Sequence, residues 1–168
     1  TSVVDSFSAL AYTYDNRDRV KTVDNSGTPN APSVILEYTY DDVGNVLSVT
    51  DTIEGEIGGT NTYSYDALNR LVELTQTGNN VSDKRVDFGY NSLGQFTNID
   101  RYSDIAGTQL AVGTSYTYDE LNRLTNLAHS NGTTDLAFYD FSYDDNSRIS
   151  QIVDVDGTTN YTYDDIAQ

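Results

Sequence analysis

A single four-residue pattern, an aromatic residue, a small residue, a tyrosine and an aspartate, governs what this chain can fold into, because it recurs along the whole sequence. It stands as Tyr12-Thr13-Tyr14-Asp15, Tyr38-Thr39-Tyr40-Asp41, Tyr63-Ser64-Tyr65-Asp66, Phe88-Gly89-Tyr90-Asn91, Tyr116-Thr117-Tyr118-Asp119, Phe141-Ser142-Tyr143-Asp144 and Tyr161-Thr162-Tyr163-Asp164. From one second tyrosine to the next the steps are 26, 25, 25, 28, 25 and 20 residues. Self-similarity at this period marks a repeat array, in which a unit covers its apolar face only by lying against its neighbours. Residues 1–168 therefore read as one array of seven copies, the last incomplete. With no methionine in it, the sequence is expected to be a piece of a longer or an assembling chain.

The columns around the motif specify hairpins. Six residues beyond the second tyrosine come Val20, Val46, Leu71, Phe96, Leu124 and Ile149; nine beyond it come Val23, Val49, Leu74, Ile99, Leu127 and Ile152. Upstream, Val34, Leu36, Tyr38 and Tyr40 alternate with other residues at period two, the signature of a strand. Four beyond the tyrosine stand Asp18, Gly44, Asn69, Gly94, Asn122, Ser147 and Ala167, mostly residue types that tolerate a left-handed backbone. An Asp at the start with such a residue three further on predicts a type I turn closed by a bulge, the carboxylate accepting from turn amides. The three-residue step between the apolar columns departs from alternation, and either a bulge or burial of both faces satisfies it. The fold class expected is all-β: tandem antiparallel hairpins forming a twisted, solenoid-like ribbon. Polar, breaker-rich loops are expected at Asp24 to Gly27, Gly27 to Ser33 with both prolines, Glu54 to Asn61, Thr77 to Asn80 and Ser130 to Gly132.

Order in such a chain leans on its 14 tyrosines, against 5 phenylalanines and no tryptophan, since each can bury a ring and keep its hydroxyl bonded. Their burial is the expectation. The formal charge of -17 sets nucleic acid and anionic membrane surfaces against the chain. Absence of cysteine excludes a disulfide framework, and no apolar run approaches the length of a membrane span.

The arrangement Tyr-x-Tyr-Asp-x-x-Gly/Asn-Arg-Leu, best seen from Tyr63 to Leu71 and from Tyr116 to Leu124, resembles the YD repeat, also called the Rhs repeat. The resemblance runs from about Leu10 to the end of the chain and implies a secreted or cell-surface protein built as a long hairpin ribbon. In bacterial members such a ribbon forms a shell around a toxic terminal domain; in teneurins a similar barrel takes part in adhesion, and the repeats have been linked with carbohydrate. Copy four departs from the pattern at Phe88 and Asn91. The self-cleaving core of the family's shells has no counterpart, since Pro29 and Pro32 lie in a polar loop.

Groups for catalysis are few: one histidine, no cysteine and no Gly-x-Ser-x-Gly, so no enzyme is expected. His129 beside Ser130-Asn131-Gly132 reads as a solvated loop histidine. Asp154 to Thr159 resembles the opening of a calcium loop, but its glycine comes too early. Adventitious calcium at Asp41-Asp42 or Asp144-Asp145 is the one metal expectation, and no cofactor is expected. Arg19, Arg70, Arg123 and Arg148 share a column and are expected to pair with repeat aspartates or stack on tyrosines. Tyr102 and Tyr139 lie outside the motif and are the candidates for contact with a glycan. Joining the ends places Thr1 in the first apolar column and Val4 in the second, after a final hairpin that stops at Ala167 and Gln168. Thr1, Val3, Val4, Ala167 and Gln168 are thus candidates for head-to-tail self-assembly by strand completion. The functional expectation is a non-catalytic extracellular wall, stalk or fibre segment, with a carbohydrate-binding module and a toxin-shell segment as alternatives.

Overall fold

The computed structural model describes residues 1–5, 7–79 and 81–164, and all regular structure among them is β-strand. Two compact units divide the chain: Thr1–Val86 with Ser103–Thr108, and Asp87–Tyr102 with Gln109–Gln168. The strands β1 (Ser2–Val4), β2 (Ala9–Tyr14), β3 (Val20–Asp24), β4 (Val34–Tyr40), β5 (Val46–Ile53), β6 (Glu56–Tyr65) and β7 (Leu71–Gly78) belong to the first unit. They are followed by β8 (Lys84–Tyr90), β9 (Phe96–Tyr102), β10 (Leu110–Tyr118), β11 (Leu124–Ser130), β12 (Asp135–Tyr143), β13 (Ile149–Asp154) and β14 (Gly157–Asn160). Hydrogen-bonded neighbours are sequence neighbours throughout. That topology is the least demanding one for a chain of hairpins, since every pairing is local.

Register explains the three-residue apolar step. Tyr14 pairs with Val20 and Thr13 with Thr22, which leaves Lys21 as an extra residue on β3. The same one-residue bulge recurs where Tyr40 pairs with Val46 and Thr39 with Ser48, where Tyr65 pairs with Leu71, where Tyr118 pairs with Leu124, and where Tyr143 pairs with Ile149. Beyond it, Tyr12 pairs with Val23, Tyr38 with Val49 and Tyr63 with Leu74. The bulge thereby returns both apolar columns to the tyrosine face and leaves hydroxyls opposite one another on the other face. Thr13 and Thr22 bond there at 2.6 Å and Thr39 and Ser48 at 2.6 Å, whereas the Thr117 hydroxyl, opposite Asn126, bonds to that of the bulge residue Thr125 at 3.1 Å.

Among the described residues no hydrophobic side chain is buried. The motif tyrosines are half-covered or exposed rather than buried, a correction with a plain cause: one sheet face has no opposing layer, so each ring is covered only by flanking strands. Two expected loops are also shorter than their composition suggested. Glu54 and Gly55 alone turn β5 into β6, with φ of 52° and 87°, and β7 runs on to Gly78. A Cβ on Gly78 would stand 2.2 Å from the Gly58 carbonyl oxygen, so the close approach of β6 and β7 depends on that glycine.

Candidate functional site

The recurrent joint between consecutive hairpins starts in the turn. At the first turn Asp18 donates its amide to the Asp15 carbonyl at 3.2 Å and lies in the left-handed region with φ of 59°. Gly44, Asn69, Gly94, Asn122 and Ser147 take the same conformation at the equivalent position. The Asp15 carboxylate accepts from the amides of Arg17 at 2.8 Å and Arg19 at 3.0 Å, while its other oxygen holds Arg19 Nε at 2.8 Å. Asp66 with Arg70, Asp119 with Arg123 and Asp144 with Arg148 repeat this geometry. In copy two Asn45 Nδ2 takes the arginine's place on Asp41, at 2.8 Å.

Electrostatics follow from these bonds. Amides and side chains of Arg70, Arg123 and Arg148 hold Asp66, Asp119 and Asp144 below the ordinary carboxylate range. At Asp15 and Asp41 partial desolvation is the largest single influence and pulls upward, yet the combined bonds from Arg19 and Arg17, or from Asn45, Gly44 and Val43, outweigh it. Tyr65 and Tyr118 are raised, chiefly by desolvation.

The turn then reaches the next hairpin. Tyr40 donates its hydroxyl to the Val20 carbonyl at 2.7 Å, Tyr65 to Val46 at 2.9 Å, Tyr143 to Leu124 at 2.7 Å and Tyr163 to Ile149 at 2.7 Å. The acceptor is each time the first apolar column of the preceding hairpin. Over the same rings lie guanidinium groups, Arg19 at 4.4 Å from Tyr40, Arg123 at 4.5 Å from Tyr143 and Arg148 at 4.3 Å from Tyr163. Further links cross between turns: Arg19 to the Asp41 carbonyl at 2.8 Å, Asn45 to Asn69 at 2.9 Å, and Gln95 to the Asn122 carbonyl at 3.1 Å. In the second unit Phe96 stacks on Tyr90 at 4.9 Å and meets Phe88 and Tyr116 at 6.2 Å each.

The remaining candidates are spread out. Tyr12, Tyr38, Tyr116, Phe141 and Tyr161 occupy the tyrosine face one residue pair further from the turn, and Asp164 is the last of the described residues. Tyr139 pairs with Leu127 and is 38% exposed, whereas Tyr102 pairs with Leu110 and is half-covered. His129 sits inside β11, not in a loop, because the strand continues to Ser130; its Nδ1 lies 3.0 Å from the Thr114 hydroxyl. Among the described residues no three acidic or histidine side chains are grouped to hold a metal. Asp41 is turned into its own turn while Asp42 pairs outward with Arg17, so the two carboxylates do not converge. The Asp154 carboxylate accepts from the amides of Asp156 and Gly157, closing a tight hairpin turn.

At the start of the chain, Thr1 exchanges backbone bonds with Tyr12, and Val3 pairs with Leu10. Second-column residues elsewhere oppose the residue two before the first tyrosine, as Val23 opposes Leu36 and Ile152 opposes Thr159. Val3, not Val4, therefore holds the second-column place, one residue out of the phase expected from joining the ends. Ala167 and Gln168 lie outside the described residues. One column escaped the sequence reading: Val43, Leu68, Leu93 and Leu121, three residues beyond the second tyrosine, are exposed apolar side chains at turn tips. Their place between the aspartate and the left-handed residue, outside either strand, was the available signal.

The RHS Repeat family model matches residues 40–81. No curated protein sequence matches the chain. Among solved structures, a crystal structure of TcdB2-TccC3-Cdc42 aligns with 94% of this chain and 10% of its own at 14% identity and a TM-score of 0.48. A Tc holotoxin pore of Photorhabdus luminescens aligns with 92% of this chain and 9% of its own, at 14% identity and 0.46. A porin-like protein from Bacteroides uniformis aligns with 97% and 80%, at 13% identity and 0.49. This chain thus spans about a tenth of the two toxin chains. The turn, bulge and tyrosine bond of the stretch that the RHS Repeat model matches are repeated in the hairpins on both sides of it.

Proposed function

We propose that the chain is a non-catalytic, extracellular wall or fibre segment whose hairpins continue into further hairpins of the same kind. The observation that carries this reading is the joint itself. Every tyrosine–carbonyl bond and arginine stack described above connects one hairpin to the next, so the repeats' invested chemistry is spent on adhesion between units. Residues 1–168 act as one array, and its two outermost strands supply the growing points. β1 lies outermost beside β2, with Val3 and Val4 exposed, and β14 lies outermost beside β13. A second copy's opening strand completes the last hairpin beside Tyr161 and Tyr163, with the one-residue offset at Val3 absorbed in the closing turn. Sedimentation velocity across a concentration series tests this: end-to-end oligomers that disappear when residues 1–5 are deleted are expected. A monomer at every concentration refutes assembly of this chain with itself.

A second reading, glycan contact, is favoured by Tyr139, a partly exposed ring on the tyrosine face. Loss of glycan-array binding in Tyr139→Ala, with Tyr102→Ala as the companion variant, is its test.

A further inference from the structure

The second unit holds a cluster that the hairpin joint does not use. Thr114, on β10, is the buried residue among those described, 2% exposed, and its cross-strand partners are Ile99 on β9 and His129 on β11. Arg101, two residues beyond Ile99 and so on the same face, places Nη1 3.0 Å from the Thr114 hydroxyl oxygen. His129 Nδ1 lies 3.0 Å from that oxygen on the other side. A guanidinium only donates, so the hydroxyl oxygen accepts from Arg101 and keeps its single proton for the imidazole. In the tautomer that takes this proton, Nδ1 accepts and the ring carries its hydrogen on Nε2. The outcome is two donors held at one place by a shared hydroxyl: the rest of the Arg101 fork and the His129 Nε2–H.

What sets this pair apart is the charge around it. Arg17, Arg19, Arg70, Arg85, Arg123 and Arg148 each lie within salt-bridge distance of a carboxylate, namely Asp42, Asp15, Asp66, Glu73, Asp119 and Asp144. Among the described residues Arg101 is the arginine that does not, in a chain with 26 acidic and 9 basic residues. Its neighbour Asp100 faces the other way, accepting from Asn98 Nδ2 at 2.7 Å and standing where a side chain on Gly113 would be. The residues opposite Arg101 and His129 on their own face are Val112 and Ala137, both apolar. On β12, Tyr139 follows Ala137 by two residues and therefore shares that face.

We infer that Arg101, Thr114 and His129 form an anion site that takes the carboxylate of a small organic acid. The Arg101 fork meets the two carboxylate oxygens, His129 Nε2–H adds a third donor, and the apolar flanks accept the carbon next to the carboxylate.

Because His129 is the one histidine of the chain, its imidazole is a clean reporter in the intact protein. Imidazole NMR during titration with sodium acetate, with sodium chloride at matched ionic strength as reference, is the experiment. Saturable shifts half-complete on the order of 10 mM acetate are expected. The saturable shifts should vanish in Arg101→Gln and in Thr114→Val, and persist in Thr114→Ser, which keeps the hydroxyl, and in Arg17→Gln. Arg101 is exposed, so its variant keeps the fold, and circular dichroism checks this. Equal shifts in chloride and acetate, no saturation, or an unchanged response in Arg101→Gln would overturn the inference. Imidazole shifts that depend on protein concentration without acetate would also overturn it, by assigning the carboxylate to a second copy of the chain.

Discussion

The hydroxyl of Tyr40 donates to the carbonyl oxygen of Val20 at 2.7 Å, joining the second strand of one hairpin to the first strand of the next beneath the guanidinium of Arg19. Removing the hydroxyl alone, in Tyr40→Phe, should lower stability by about 1 kcal/mol. Tyr40→Ala also removes the ring on which Arg19 rests and should lower it by about 2–3 kcal/mol. Tyr14, whose ring makes neither contact, should tolerate alanine at a cost of less than about 1 kcal/mol. Urea unfolding of the three variants checks the order.

The turn aspartates set the acid limit of the fold. Asp15, Asp41, Asp66, Asp119 and Asp144 titrate below the ordinary carboxylate value, so the folded state binds fewer protons than the unfolded one as pH falls. Their stabilisation is fully present above about pH 4 and is lost as pH falls through their lowered values. Tyr65 and Tyr118 act at the other end: raised by desolvation, they withdraw stability as pH climbs above about 10. Urea midpoints measured from pH 2.5 to 11 should be level in the middle and fall at both ends. Asp119→Asn should flatten part of the acid limb.

Gly78→Ala should loosen the pairing of β6 with β7 by roughly 2–4 kcal/mol, because the new methyl meets the Gly58 carbonyl and φ is 149°. Hydrogen exchange should locate the faster amides in β6 and β7. Exchange quickened evenly in every hairpin would contradict this.

Leu121 and Leu124 stand three residues apart and should respond differently. Leu121→Ser, at an exposed turn tip, should change stability by less than about 0.5 kcal/mol. Leu124→Ser exchanges an apolar residue paired with Tyr118 on the covered face and should cost about 2 kcal/mol. Thermal melts of the two variants check the contrast.

Most of the fold was legible because hairpin repeats write local physics into fixed columns. The left-handed position from Asp18 to Ser147 and the aspartate three residues before it predict the turn without reference to anything distant. The apolar step from Val20 to Val23 announced a departure from alternation, but only register reveals that Lys21 is the extra residue. Composition misled at Glu54 to Asn61, where glycines and threonines that look like a loop extend a strand against β5 and β7. His129 misled in the same way, since a following Ser-Asn-Gly marks where β11 ends and not where the loop begins. The cluster of Arg101, Thr114 and His129 was invisible because its members are 13 and 15 residues apart, Arg101 lies one hairpin before the other two, and the column that Arg101 and His129 share, eleven beyond the motif tyrosine, holds no common residue type.

Without a buried core among the described residues, the number of hairpins is not tied to any volume that must be filled. A conventional domain gains or loses a strand only by repacking its interior, whereas here a duplicated or deleted stretch of about one repeat leaves every surviving joint chemically intact. Length is thereby free to vary by whole units. The fourth copy, with Phe88 and Asn91, illustrates the complementary freedom: Asn91 still accepts the turn amides of Leu93 at 2.9 Å and Gln95 at 3.0 Å, so a single copy drifts without endangering the rest.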